Sequence, residues 1–404
     1  MTGRWPTIIL LWFIGVLAAA QLGKMAALMP AIRADLGLTL AGAGLMISLI
    51  EAGGASLGSI AGILAARFSG RAVLATGSVL IAVAGLAAAA APEAALLYVA
   101  RLVESIGYLM VVIAAPSLIA MAAGRDSAAA LALWSTFVPV GIAAGTIASG
   151  LAASWIDWRL ILVFWALAVL VTLPRTFHLP AMAEHRQTSF AVPPLAVWAL
   201  AIGFGFYTTL EVGVLGMLPA YLAEAWGFSI AAAGTITGLT SAATIAGSFA
   251  AARLIGNGDD ARRPLVLIAI GLALPAVLFF PGFPGQGLAA HMSAATVAVA
   301  VIVANAISGL VAAVAFARMP TLLRRSGVPL ALVTASNGVF AQFGASGSLI
   351  GPPLVGYAAS RWGWPVIAPL VAGLSLLSLA GFALAERLAG SGEREVPSGT
   401  KVRP

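Results

Sequence analysis

The sequence predicts an all-α membrane protein: twelve transmembrane helices arranged as two pseudo-symmetric six-helix bundles. Three observations carry that reading. First, 61% of the 404 residues are hydrophobic and only 9% are charged. A soluble domain carries about 45–50% apolar and about 25% charged residues, so these charges are too few to cover a globular surface in water. Second, the apolar residues fall into twelve runs, mostly near the roughly 20 residues a helix needs to cross a hydrocarbon core about 30 Å thick. Third, the second half of the chain repeats features of the first. Barrel strands are about half as long as these runs, and open strand edges cannot face lipid.

In order, the first six runs cover residues 8–30, 41–65, 73–91, 96–121, 130–154 and 159–174. The second six cover 196–222, 230–254, 264–281, 294–316, 330–357 and 365–385. Charges fall almost wholly between them. Arg33 and Asp35 follow the first run, Arg67 and Arg71 the second, Glu93 the third, Arg125 and Asp126 the fourth. Asp157 and Arg159 separate the fifth from the sixth, and Arg175 closes the first half. Glu224 follows the seventh, Arg253 ends the eighth and Asp259, Asp260, Arg262 and Arg263 follow it, Arg318, Arg324 and Arg325 follow the tenth, Arg361 the eleventh, Glu386 and Arg387 the last. Arg4, the run Thr7–Leu17 and Ala18-Ala19-Ala20-Gln21 resemble a secretory signal with a small-residue cleavage site. The apolar pattern continues to Met29, so this segment is read as the first span.

Twelve spans put both termini on one side. If that side is the cytoplasm, sixteen of the 21 basic residues lie inside, three (Arg33, Arg159, Arg361) lie outside, and two (Lys24, Arg101) lie within spans. Such an asymmetry is the positive-inside signature. It predicts a multi-pass protein of the cell inner membrane with both termini cytoplasmic. The net charge of +7 is then an orientation signal rather than a nucleic-acid footprint.

The longest connection divides the chain. Residues 1–174 are read as the N-terminal six-helix bundle and 175–195 as a cytoplasmic linker, flanked or occupied by Pro174, Pro180, Pro193 and Pro194. Residues 196–387 are read as the C-terminal bundle and 388–404 as a disordered cytoplasmic tail. Gly141, Gly145, Gly150, Ala152-Ala153-Ser154 and Trp158 recur, at an offset of 206, as Gly347, Gly351, Gly356, Ala358-Ala359-Ser360 and Trp364. A looser match joins Pro30-Ala31…Gly37…Thr39…Gly44 to Pro219-Ala220…Gly227…Ser229…Gly234. Small residues at four-residue spacing suit close helix packing. Two six-helix halves of this kind imply a secondary transporter with its site at the midplane.

The residues then resemble a family. Gly62-Ile-Leu-Ala-Ala-Arg67-Phe-Ser-Gly70-Arg71, between spans two and three, resembles the Gly-x-Leu-Ala-Asp-Arg-x-Gly-Arg loop of the major facilitator superfamily. Ala66 stands where that family carries the Asp that latches the halves. Arg101-Leu-Val-Glu104-Ser-Ile-Gly107 is similar to its fourth-helix Arg-x-x-Gln-Gly-x-Gly motif, with Glu for Gln. Gly141, Gly145 and Gly150 resemble the antiporter Gly-Pro motif loosely; the proline is absent there, whereas Gly351-Pro352-Pro353 sits in span eleven. The resemblance covers about residues 5–385. It implies the major facilitator fold, a cavity lined by spans one, four, seven and ten, and a cytoplasmic gating loop at Gly62, Arg67, Gly70 and Arg71. Leu131-Ala-Leu-Trp134-Ser135 and Met217-Leu-Pro219-Ala-Tyr221 resemble the cyanate permease and nitroimidazole-transporter branch, which would favour a small anionic or polar organic solute.

Ionisable side chains at bilayer depth are costly and usually functional. Five are expected there: Lys24 in span one, Glu51 in span two, Arg101 and Glu104 in span four, Glu211 in span seven. Gln21 shares a helix face with Lys24. Lys24 either meets a substrate carboxylate or a glutamate, or snorkels to the outer interface. Arg101, Glu104 and Tyr108 share a face, as a relay or as a mutually neutralised pair. Glu211, after Tyr207 and Thr208, has no partner near in sequence and is the group best suited to load and release a proton; the alternative is a neutral, packed Glu. Asn305 and Ser308 share a face of span ten and could bond an uncharged solute. Thr237, Thr240, Ser241 and Thr244 are read as a structural stripe. Of Asn337 and Gln342, five apart, at most one faces the cavity. Trp5, Trp155, Trp158, Trp226, Trp362 and Trp364 are read as interface anchors, and Arg318, Arg324 and Arg325 as topology determinants.

With no cysteine and three scattered histidines, no metal site or cofactor is expected. No Walker loop, HExxH or Gly-x-Ser-x-Gly motif occurs, so the chain is not read as an enzyme. The expected partners are a small organic solute, protons and the lipid bilayer, with no nucleic acid and a monomer as the working unit. The leading expectation is a proton-coupled permease working by alternating access. The alternatives are a drug or metabolite efflux antiporter and, more remotely, a membrane sensor or the permease subunit of a pump.

Overall fold

The computed structural model describes residues 4–65, 68–177, 179, 192–255, 260–279, 292–327 and 333–391. Among these residues the chain is helical and has no strand. The first half holds α1 (Arg4–Leu36), α2 (Leu40–Ser48), α3 (Ala52–Ala65), α4 (Gly70–Ala89), α5 (Ala94–Ala123), α6 (Ser127–Trp134), α7 (Phe137–Ala152) and α8 (Trp158–Thr176). The second holds α9 (Leu195–Trp226), α10 (Ile230–Leu254), α11 (Arg262–Phe279), α12 (Ala294–Arg325), α13 (Val333–Trp362) and α14 (Ile367–Ser391). Ten stretches among the described residues are long and apolar enough to cross a membrane. The other two rods, α11 and α13, fall where spans nine and eleven are expected. The second carries Asn337, Gln342 and several serines, which dilute its hydropathy.

Two of the expected spans are interrupted. Span two is α2 and α3 joined by a 3-10 turn, Leu49–Glu51. Span five is α6 and α7, broken at Ser135 and Thr136. Their hydroxyls bond the Ala132 and Leu133 carbonyls, each at 2.7 Å, so the preceding turn gains side-chain donors beside the Ser135 and Thr136 amides. Pro139, in the first turn of α7, needs no intrahelical partner for its nitrogen. The last helix continues to Ser391, past the start of the expected tail; residues 392–404 lie outside the described residues. The linker expected at 175–195 lies largely outside them as well, with α8 reaching Thr176 and α9 starting at Leu195.

Both repeats reappear as matched packing. Helices α1 and α9 each stop at a glycine in the left-handed region, Gly37 at φ 64° and Gly227 at φ 68°. Each is followed by a hydroxyl cap: Thr39 accepts from the Gly42 amide at 3.0 Å and Ser229 from the Ala232 amide at 3.2 Å. The glycine ladders match too. Gly141 and Gly145 of α7 lie against the α1 backbone, and Gly347 and Gly351 of α13 lie against the α9 backbone. The third glycine of each ladder crosses to the other half: Gly150 meets Gly234 of α10, and Gly356 meets Leu40 of α2. Glycine is required because the neighbour at each point is main chain. Accordingly α1 packs on α7, α5 and α8, α9 packs on α13 and α14, and the halves meet through α13 with α2 and α3, and through α7 with α10.

Burial bears on two expectations about charge and aromatics. Arg318 and Glu386, assigned to cytoplasmic ends, are buried. Arg318 grips Glu386 through Nε and Nη2 at 2.7 and 2.9 Å, and Arg325 adds a third bond at 2.9 Å. These residues sit where apolar runs end, and the helices α12 and α14 extend beyond the runs far enough to enclose them. Trp158 is not an exposed interface anchor: it is 5% exposed and donates to Asp35 at 3.3 Å, whereas Trp155 is 85% exposed.

Candidate functional site

The N-terminal half encloses a charge cluster. Lys24 and Gln21 come from α1, Arg101 and Glu104 from α5, and none is more than 1% exposed. Glu104 accepts from both cations: Oε1 from Lys24 Nζ at 3.2 Å and Oε2 from Arg101 Nη1. Lys24 also donates to Gln21 Oε1, and Gln21 Nε2 donates to the Leu17 carbonyl at 2.8 Å. Arg101 spends its remaining donors on main chain: Met46 and Ile47 carbonyls of α2 at 3.1 and 2.9 Å, and the Gln21 carbonyl at 3.3 Å. The two α2 carbonyls precede the 3-10 turn, where amides reach back three residues instead of four. Arg101 thus closes the gap the turn leaves. Lys24 Nζ points toward Gly85 of α4, into the bundle. It does not snorkel to an interface.

The C-terminal half presents a different set. Glu211, midway along α9, is half-buried and lies against the Tyr207 hydroxyl one turn earlier. Among the described residues no cation stands within ion-pair distance of it. Tyr207 is 1% exposed. It donates to the Ser308 carbonyl at 3.1 Å and accepts from the Ser308 hydroxyl at 3.3 Å. Asn305 uses its amide on the Thr240 carbonyl of α10 at 2.8 Å. This amide therefore holds two helices together, a role the shared face with Ser308 did not reveal. In the polar stripe of α10, Thr240 bonds the Ile236 carbonyl, Ser241 the Pro139 carbonyl of α7 and Thr244 the Ser241 carbonyl, in keeping with a structural stripe. The Thr237 hydroxyl is buried without a hydrogen-bond partner.

Glu51 stands between the halves. It is half-buried at the 3-10 turn, and its Oε2 lies on the side of α3 where Gly54 meets Ala345 of α13. Of the two residues in doubt on α13, Gln342 is committed to the α3 backbone, bonding the Ala55 carbonyl at 3.0 Å and the Ser59 amide at 3.2 Å. Its position in a long, uninterrupted polar-apolar mixture offers no pattern from which that contact could be read.

At the end of the bundle where α1 and α9 stop, Arg33 pairs with Glu224 across the halves. Arg33 Nε is held by the Leu38 carbonyl at 3.1 Å, and Glu224 Oε2 accepts from Trp364 at 3.2 Å. Beneath the pair lies a cavity of about 110 Å³ lined by Met29, Pro30, Leu40, Ala43 and Ala220. Both charges are about one-third exposed, at 34% and 37%, and pairs of that kind contribute about 0.2–1 kcal/mol. Arg33→Gln should therefore leave thermal unfolding of the detergent-solubilised protein within about 1 kcal/mol of the parent. Asp35, by contrast, ties α1 to α8 within one half, pairing with Arg159 at 2.7 Å.

At the opposite end, the expected gating loop is only partly described. Arg67 lies outside the described residues, and Gly62 falls within α3. Gly70 opens α4 behind Ser69, which caps it by accepting from the Ala72 amide at 3.3 Å. Arg71 donates to the Phe177 and Leu179 carbonyls at 3.1 and 3.2 Å, so it anchors the end of α8. No cluster of metal-ligating side chains occurs among the described residues.

Comparison with known proteins agrees with the fold and the motifs. A family model for the Major Facilitator Superfamily matches residues 11–208. The methylenomycin A resistance protein of Streptomyces coelicolor is 29% identical over 181 residues, 44% of this chain and 38% of that protein. The cyanate transport protein CynX of Escherichia coli is 26% identical over 288 residues, 69% of this chain and 74% of that one. The chain thus spans about two-fifths of the length of the first relative and about three-quarters of the second. Among solved structures, a bacterial homologue of the human lysosomal transporter Spinster, inward-facing and occupied, superposes with a TM-score of 0.72 at 15% identity, covering 98% of this chain and 97% of that one. The nucleoside transporter NupG gives 0.71 at 15% identity, covering 95% and 99%. Loop and fourth-helix motifs, the family model over residues 11–208 and the chain-length fold all point to the major facilitator superfamily.

Proposed function

We propose that the protein is a secondary active transporter that moves a small organic solute across the cell inner membrane by alternating access, with Glu211 as the proton-coupling carboxylate. The bundles 1–174 and 196–387 rock about the centre, both termini lie in the cytoplasm, and a single chain is the working unit. The observation that carries the reading is the contrast between two carboxylates. Glu104 is gripped by two cations in a closed cluster, whereas Glu211 is half-buried and lies against the Tyr207 hydroxyl, with no cation paired to it among the described residues. A carboxyl without a counter-cation at low dielectric can meet its charge with a proton, and each charge moved through 100 mV supplies about 2.3 kcal/mol. The test is transport in proteoliposomes with a pH-sensitive dye inside. Glu211→Gln should bind solute but lose solute-driven proton movement; normal transport with unchanged pH dependence would sink the assignment.

A second reading concerns the solute. Lys24 and Arg101 are fully engaged, so the half-buried charges at the centre are the carboxylates Glu51 and Glu211. That balance favours a cationic or hydrogen-bond-donating solute; separately, the resistance relative supports an efflux antiporter and the cyanate relative supports a small anion. A thermal-shift screen of organic acids, amino acids and cationic drugs at two pH values separates them, because a true ligand stabilises the folded state by mass action.

A further inference from the structure

The contact between α3 and α13 has an unusual hydrogen-bond pattern. In an α-helix the amide of residue 59 bonds the carbonyl of residue 55. Gln342, from the other half, addresses both ends of that rung: its Nε2 donates to the Ala55 carbonyl at 3.0 Å, and its Oε1 accepts from the Ser59 amide at 3.2 Å. Gly58 admits it, since a Cβ there would stand 3.0 Å from both Cα and Cβ of Gln342. Gly53, Gly54 and Gly58 also leave this stretch of helix intrinsically weak, each by about 1 kcal/mol relative to alanine. Gln342 thus brackets one rung of a helix that is continuous over Ala52–Ala65, and it does so from the other half.

We propose that Gln342 is an exchange clasp. With the halves together, its side-chain amide shares the 55–59 rung. When they separate, the Ser59 amide and the Ala55 carbonyl turn to each other, and Gln342 is rehydrated in the opening cleft. The halves then part without stranding a backbone group in the membrane, where each such group costs several kcal/mol. The clasp rests on the alternating-access reading, but it can be tested without a transported solute.

The chain has no native cysteine, so Ser59→Cys with Gly338→Cys is a clean reporter; a Cβ at 338 lies 3.4 Å from the Ser59 Cα. Gln342→Met keeps the length of the side chain and removes both hydrogen bonds. It should lower the equilibrium yield of the 59–338 cross-link at least about fivefold, the lower bound for losing two ordinary hydrogen bonds. Hydrogen exchange of the Ser59 amide, measured in the same variant without the cysteines, should stay as slow as in the parent, because the helical partner takes over. An unchanged cross-link yield would overturn the clasp. Faster exchange at Ser59 would overturn the exchange of partners. If Gln342→Met does not fold, Gly58→Ala carries the test: it displaces Gln342 sterically while favouring helix, and the same two results are expected. Should the protein prove not to transport, both readouts remain measurable, so failure of the clasp and failure of the transport reading are told apart.

Discussion

Replacing Glu104 by leucine is expected to destabilise the protein by roughly 3–5 kcal/mol, a large share of the roughly 5–15 kcal/mol that holds a native protein folded. Glu104 is the shared partner of Lys24 and Arg101 in a cluster that is 0–1% exposed. Without it two cations stay buried, and removing one member of a buried ion pair costs far more than the pair itself contributes. Arg101 keeps its three carbonyls on α1 and α2, so its guanidinium cannot swing out to solvent without unravelling the turn at Leu49–Glu51. Lys24→Met should be much milder, since Glu104 retains Arg101 and the thioether fills the space of the lysine stem. Tryptophan-monitored unfolding of the purified variants measures both. Equal losses for the two would show that the carboxylate is not the shared partner. The measurement also separates architecture from chemistry. A cluster this well satisfied holds α1, α2 and α5 together, and only the remaining stability of Lys24→Met permits its transport to be read.

How far the sequence could be read follows from the solvent. In lipid a helix is apolar on its outer face and on its core face, so the periodicity that orients a helix in water is absent. The twelve runs, the repeat and the five mid-span charges were legible because they depend on composition and position alone. Rotation about the helix axis was not. Nothing in the run 8–30 says that Lys24 turns toward α4 instead of the centre, or that Asn305 turns toward Thr240. Helix ends were lost for a related reason: Arg318 and Glu386 lie where hydropathy falls, and only the lengths of α12 and α14 show that they are enclosed. The breaks at Leu49–Glu51 and Ser135–Thr136 leave no mark in an apolar count, because side-chain donors complete the backbone, Arg101 from α5 at the first and the hydroxyls of Ser135 and Thr136 themselves at the second. Gln342 was singled out, but its partner is main chain, which carries no residue type to match.

The glycine ladders offer the second large effect, and they test the internal symmetry directly. A side chain at Gly145 would meet the Lys24 amide nitrogen, 2.9 Å from the Cβ position, and one at Gly351 would meet the Gly213 amide nitrogen at 2.8 Å. In both places the obstacle is the backbone of the first helix of the same half, which cannot turn aside as a side chain can. Overpacking of this kind costs about 1–3 kcal/mol and more where the backbone must move. Gly145→Leu and Gly351→Leu should therefore each lower the unfolding temperature strongly and by similar amounts. Gly373→Leu, at a position with no heavy atom within 4 Å, should leave it unchanged. The two ladder variants differ in one respect. Moving α1 at Lys24 also drags the lysine off Glu104, while moving α9 at Gly213 disturbs the backbone two residues beyond Glu211. Residual folded Gly145→Leu should consequently resemble a weakened cluster, and residual Gly351→Leu should show altered coupling at near-normal cluster stability. If only one of the pair is destabilised, the pseudo-symmetric halves do not share the packing that their matched sequence implies.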